Sequence, residues 1–388
     1  MSASALVAIG AWAIAAIVLL IHGAMTVRRH SVIETYMGAG RNWLAGQPLY
    51  EGSAGFVYSP LVAALFSPLT FLPPALSHPL WIAISIAGYL GAIGWSLRES
   101  LFQIGREKWA LVFLLILPLS IGNFSNGQVN PIVIALLLGS VVAVHRRWMT
   151  LAAFCVALAV YFKIYPIAMG LVLMAVYPRN FSWRFLLAMA ALAALSFVLQ
   201  RPSYVLSQYH LWFATRTADN RHAEGAVRDV FMILKALQVP VSERGHTICQ
   251  ALSGGAIAVI AFLGRFRFRW TEERVLVAIF FLVDAWMLLF GPATESATYV
   301  MLAPAVAIAV VQSFRSSVPG WMNGLAVASF AILLLGTGIN SFLHLPKTPT
   351  VMSVQPLGGV VFAAFALCWI FNDKLWSSTS EPQRSVTR

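Results

Sequence analysis

Charge is what this chain has least of. Only 10% of its 388 residues are Asp, Glu, Lys or Arg, where a soluble domain carries about 25%. Acids are scarcer than bases, 14 against 26, and the formal net charge is +12. Such an excess would suggest nucleic acid if it gathered on one face. Here the bases sit in short gaps between apolar runs, with no basic helix and no aromatic-basic platform, so no nucleic-acid partner is expected. Cysteine is rare too: Cys155, Cys249 and Cys368 lie too far apart for a CxxC metal or redox site. They read as small residues packed beside apolar runs. The sequence holds no GxSxG, no Walker A motif, no dinucleotide fingerprint and no HExxH. His22, His78 and His246 stand alone, and His210 and His222 share one segment without metal-ligand spacing. No metal site and no cofactor is expected.

What fills the chain instead is apolar sequence, 59% of it. The first run, residues 5–27, is about as long as the ~20 residues a membrane helix needs. It lacks the basic start of a signal peptide and reads as a retained helix. Further runs follow at 80–97, 109–121, 131–144, 149–177, 185–199, 247–263, 275–290, 297–311, 321–336 and 354–371. Residues 57–72 are apolar but broken by Pro60, Pro68, Pro73 and Pro74, which leaves crossing and re-entry both open. Pro166 breaks 149–177 and predicts two short helices meeting near 161–166. The fold class is therefore all-α: a polytopic integral-membrane bundle of about 10–13 helices, some short or broken. Residues 1–371 form one transmembrane domain, and 372–388 a flexible cytoplasmic tail.

Basic residues at 98–108, 145–147, 179–184, 265–274 and 315 alternate onto one side, which the positive-inside rule assigns to the cytoplasm. The opposite side collects two large polar inserts, about 28–57 and 201–243. It also collects the breaks at 122–130, 163–166 and 291–295, and residues 340–348. Within the second insert, Val227, Phe231 and Leu234 recur at helical spacing and predict an interfacial amphipathic helix over 226–237. Three charged residues fall at membrane depth, where each costs about 2.5–3.5 kcal/mol and so faces protein or a cavity. They are Lys163, Asp284 and Glu295. Lys163 reads as an anion contact or a snorkelling side chain. Asp284 reads as one half of a hydrogen bond or ion pair inside the bundle. Glu295 reads as a helix cap or a cavity wall.

On that side, cations, amides and aromatic rings outnumber acids. Aromatic faces and amides suit a sugar, while Lys and Arg hold phosphate oxygens. Trp43, Gln47, Tyr50, Tyr58, Gln128 and Asn130 supply the first kind. Arg41, Lys163, Arg216, Arg221 and Arg228 supply the second. The expected partners are thus a phosphate-bearing lipid with a sugar, and the surrounding membrane lipid.

Residues 43–50 (WLAGQPLY) and 56–60 (FVYSP) carry a resemblance. With 127–130 (GQVN), 163–166 (KIYP) and 291–299 (GPATESATY), they resemble the ordered motifs of glycosyltransferase family 87. The resemblance implies a GT-C-like bundle with an extracytoplasmic active site. It also implies inverting transfer of a mannose- or arabinofuranose-like sugar from a polyprenyl-phosphate donor to a glycan or glycolipid acceptor. In that reaction a carboxylate early in the first outer loop takes the acceptor proton. The family's Asp would fall near Val32, where this chain has none. Glu34 is the nearest acid and the expected catalytic residue, with Glu295 or Asp229 next in line. Arg41, Tyr58, Gln128, Asn130, Lys163, Arg228 and Glu295 are the expected substrate contacts. The alternatives are a lipid or solute transporter or flippase, and a glycolipid-binding relative without activity.

Overall fold

The structure is a computed structural model that describes residues 2–25, 31–50, 55–217, 227–291, 294–315, 318–343 and 345–377. Arg221, Pro292 and the tail from residue 378 lie outside the described residues. Among the described residues the chain is helical, with no strand.

Among the described residues, seven stretches are long and apolar enough to cross a membrane, and five shorter apolar ones accompany them. The first helix, α1 (Ala3–Met25), is followed by α2 (Ile33–Ala45) and α3 (Pro60–Phe66). Next come α4 (Pro74–Arg98), α5 (Trp109–Asn126), α6 (Asn130–His145), α7 (Met149–Phe162), α8 (Ile167–Val176) and α9 (Ser182–Leu199). Two helices of the second insert, α10 (Pro202–Thr217) and α11 (Val230–Ala236), lead into α12 (Glu243–Phe266) and α13 (Glu272–Phe290). The chain closes with α14 (Ala303–Ser313), α15 (Gly320–Gly338), α16 (Pro349–Met352), α17 (Val354–Phe371) and α18 (Lys374–Ser377).

Helix length follows exposure to lipid. α1 buries four of its 23 residues and α12 two of its 24, so both must cover the full apolar thickness themselves. α14 has 11 residues, all buried, and α7 has 14, of which ten are buried. At 1.5 Å per residue these are only about 16–21 Å long. Helices this short are stable at membrane depth because neighbouring protein, not lipid, surrounds their ends. α13 is the central pillar, with 15 of 19 residues buried. The segment 57–72, open between two readings in the sequence, resolves into seven-residue α3 and the 3-10 turn Ser67–Phe71. That is too short to cross, at roughly 20 Å. Residues 149–177 form α7 and α8, which meet at an extended Lys163.

One end of the bundle is tied by ion pairs between its basic turns. Arg146 meets Glu99 at 3.3 Å, Arg147 meets Glu272 at 2.9 Å and Arg274 meets Asp373 at 2.7 Å. The chain beyond Phe371 therefore stays docked as far as α18, with Leu375 and Trp376 buried. Inside α13, Asp284 differs from expectation. It is fully buried, yet neither carboxyl oxygen has a hydrogen-bond partner among the described residues. The residues that precede it on α13, Val275 to Val283, are all buried hydrophobic core.

Candidate active site

The other end of the bundle holds the site. The opening polar stretch is not a loop there but the 13-residue helix α2. Its apolar face buries Ile33, Tyr36, Met37 and Trp43 against the bundle. Gly46, at φ 67°, ends it in a left-handed cap. The register that buries Tyr36 turns Glu34 toward α4. There Glu34 Oε1 lies 2.9 Å from Nε2 of buried His78, and Oε2 accepts from Arg41 at 3.3 Å. Both carboxylate oxygens are thus engaged, Oε1 in pinning α2 to α4 and Oε2 in a pair within α2.

A cavity enclosing about 70 Å³ opens beside α2, room for a few water molecules. Tyr58, Tyr161, Phe162, Tyr165 and Trp212 wall it with rings, and Ser59, Gln128, Lys163, Arg216 and Glu295 supply its polar groups. All of these polar groups but Arg216, which α10 carries, arrive where a helix begins or breaks. Gln128 follows Gly127, whose φ of 66° caps α5. Lys163 sits in the break between α7 and α8, its ammonium 5.5 Å from the centre of the Tyr165 ring. Glu295 stands at the N-cap of the 3-10 turn Ser296–Met301, its N–H donating to Thr298 Oγ1 at 3.2 Å. It is both of the things the sequence left open, a cap and a cavity wall. Below the rim, the Tyr36 and Tyr58 hydroxyls lie 3.0 Å apart. Burial, and then the neighbouring Tyr58, push the Tyr36 phenol well above its ordinary value, so it stays a neutral hydrogen-bonding group.

Tyr58, Gln128, Lys163 and Glu295, all expected from the sequence, meet here. Glu34 and Arg41 do not line the cavity, being paired with each other on α2. Asn130 is fully buried and donates to Gln128 Oε1 at 2.6 Å and to the Ala297 carbonyl at 3.2 Å. Arg228 is also buried. Its N–H donates to the Thr294 carbonyl at 2.7 Å, and its guanidinium reaches Gln355 Oε1 at 3.4 Å. Burial lowers its pKa from the ordinary value, against a smaller opposing effect of Tyr299. These four residues support the site's surroundings and do not face the cavity.

The part the sequence reading missed is α10. Tyr204, Gln208, Trp212 and Arg216 recur every four residues, which places them on one helix face. The Tyr204 hydroxyl donates to the Gln47 carbonyl at 2.7 Å, and Gln208 Oε1 accepts the Leu49 N–H at 2.9 Å. Trp212 Nε1 donates to the Val57 carbonyl at 3.2 Å. The stripe stitches Gln47, Leu49 and Val57 to α10 and ends with Arg216 in the cavity. Its signal was the four-residue spacing of polar and aromatic side chains inside an insert read as loop. Among the described residues, no three His, Cys, Asp or Glu side chains gather as a metal site.

A model of glycosyltransferase family 87 matches residues 56–292. That is more than half of the chain, and the chain belongs to this family of membrane-embedded sugar transferases. No curated protein matches it significantly. The matched range covers Tyr58, Gln128, Lys163 and Arg216, and it begins after Glu34 and ends before Glu295.

Proposed function

We propose that this transferase moves a mannose- or arabinofuranose-like sugar from a polyprenyl-phosphate donor to a hydroxyl of a glycan or glycolipid acceptor, with inversion. The observation that carries this reading is the meeting of Lys163, Arg216 and Glu295 in one aromatic-walled cavity at the end of a membrane bundle. Two cations beside rings suit a lipid-linked phosphate bearing a sugar, because the phosphate needs charge and the sugar needs apolar faces. A carboxylate in the same cavity suits proton removal from the acceptor.

In this scheme the acceptor oxygen bonds to the anomeric carbon as the bond from that carbon to the phosphate oxygen breaks. The electron pair leaves with polyprenyl phosphate, whose charge Lys163 and Arg216 offset. Glu295 takes the acceptor proton, a contribution of about 10²–10⁴-fold. It replaces Glu34 in this role because Glu34 is committed to His78 and Arg41. The positive-inside rule favours a cytoplasmic position for the ion-paired basic end, which turns the cavity to the extracytoplasmic side of the cell membrane.

The test is transfer by purified protein from a synthetic polyprenyl-phosphate mannose or arabinofuranose to a short glycan acceptor. Product should form with inverted anomeric configuration, and Lys163→Met should raise KM for the donor. Absence of transfer from any polyprenyl-phosphate sugar, with transfer from a nucleotide sugar instead, would overturn the donor assignment.

A further inference from the structure

The turn that carries Glu295 is held by a collar of side-chain and backbone donors from four distant parts of the chain. The Thr294 carbonyl accepts the Arg228 N–H at 2.7 Å. The Ser296 carbonyl accepts Gln355 Nε2 from α17 at 3.3 Å. The Ala297 carbonyl accepts two donors, Asn123 Nδ2 from α5 at 2.5 Å and Asn130 Nδ2 from α6 at 3.2 Å. Three of the four peptide carbonyls from 294 to 297, those of Thr294, Ser296 and Ala297, are therefore fixed from outside the turn, around one carboxylate.

This collar is costly for a membrane bundle. Gln355 and Asn130 are fully buried and Asn123 nearly so. A buried amide is tolerated only when its polar atoms are paired. Yet Asn123 Oδ1 and Asn130 Oδ1 have no hydrogen-bond partner among the described residues. Turning either amide over would set its oxygen against the Ala297 carbonyl, so the orientation is dictated by the turn. A partly satisfied polar network is less stable than an apolar one of the same shape. An arrangement that sacrifices stability to fix one four-residue turn is accounted for by what that turn holds.

We infer that Asn123, Asn130 and Gln355 are positioning residues that hold the Glu295 carboxylate at its place in the cavity. Asn130 acts twice. By taking Gln128 Oε1 it leaves the Gln128 NH₂ as that side chain's donor at the cavity wall. The inference rests on the reading of Glu295 as the base.

The experiment measures transfer kinetics of the full-length enzyme for Gln355→Leu and Asn123→Leu, each alone and combined with Glu295→Gln. A misplacement near 1 Å costs on the order of 10²-fold. Each single variant should therefore lower kcat by about that much, with KM for the donor within a few-fold, since Lys163 and Arg216 are untouched. Combined with Glu295→Gln, each should cost nothing further, because a misplaced base matters only while the base is present. Thermal unfolding in detergent identifies any variant that fails to fold, and the second variant then decides. Unchanged kcat in both, or a loss that multiplies undiminished in the Glu295→Gln background, would overturn the positioning role. Full activity of Glu295→Gln alone would overturn the base reading and this inference with it.

Discussion

Gly127→Ala separates two penalties that a single substitution usually confounds. Gly127 has φ of 66°, and a Cβ there would lie 2.2 Å from Ile33 Cγ1 and 2.4 Å from Cδ1. Gly46 has nearly the same φ, 67°, but a Cβ there meets nothing within 4 Å. A non-glycine residue in this left-handed conformation costs about 1–2 kcal/mol. Forcing a methyl into a packed contact adds about 1–3 kcal/mol. Gly46→Ala should therefore cost about 1–2 kcal/mol, and Gly127→Ala about 2–5 kcal/mol. The contact is between the cap of α5 and the first turn of α2, where Val32 N–H also donates to the Asn126 carbonyl at 3.1 Å. Pushing them apart should also lower activity, since Gln128 follows directly. The assay is thermal unfolding in detergent of both variants, each repeated in an Ile33→Ala background. There the Gly127→Ala penalty should shrink to that of Gly46→Ala. Equal penalties for the two glycines in the parent protein would refute the close approach of α2 to Gly127.

Gln208→Leu removes the acceptor of the Leu49 N–H and leaves that buried donor unmade, a loss of about 1–3 kcal/mol. An unchanged unfolding midpoint would contradict the stitching of Leu49 to α10. Asp284→Asn keeps the side chain's shape while removing the ionisable carboxyl from a site where neither oxygen has a partner. Its unfolding midpoint should be unchanged or higher, and a fall of several degrees would mean that Asp284 makes a bond the structure lacks. His78→Phe removes the partner that holds Glu34 and should lower the unfolding midpoint without changing donor specificity. A switch in the sugar transferred would contradict a purely supporting role for that pair.

The bundle was legible because hydropathy reports the one solvent that every outer helix must satisfy. Short α7 and α8 were legible from Pro166, since a ring without an N–H disfavours a continuous helix. The lining of the candidate cavity was half legible. Lys163 and Glu295 announced themselves as charges where lipid would penalise them, and Tyr58 and Gln128 came with the motifs. Glu34 looked equally exposed in the sequence, but its partner His78 lies 44 residues away, and no local pattern signals a pairing that depends on the register of α2. Asn130 and Arg228 stand outside the cavity lining for a related reason. Their chemistry suits a ligand, yet the Asn130 amide donates to the Ala297 carbonyl and the Arg228 guanidinium reaches Gln355 Oε1, each partner more than 100 positions distant. The stripe on α10 was legible and went unread, because an insert defined by low hydropathy hides a helix whose buried face is polar and aromatic.

The central claim is that the working carboxylate lies on the turn after α13 and not on α2. Transfer rates of Glu295→Gln and Glu34→Gln, measured side by side with a polyprenyl-phosphate sugar donor, test it most directly. The account predicts a loss of about 10²–10⁴-fold for Glu295→Gln and near-parental turnover for Glu34→Gln once its folding is verified. Abolished transfer in a folded Glu34→Gln protein, with Glu295→Gln still active, would contradict it.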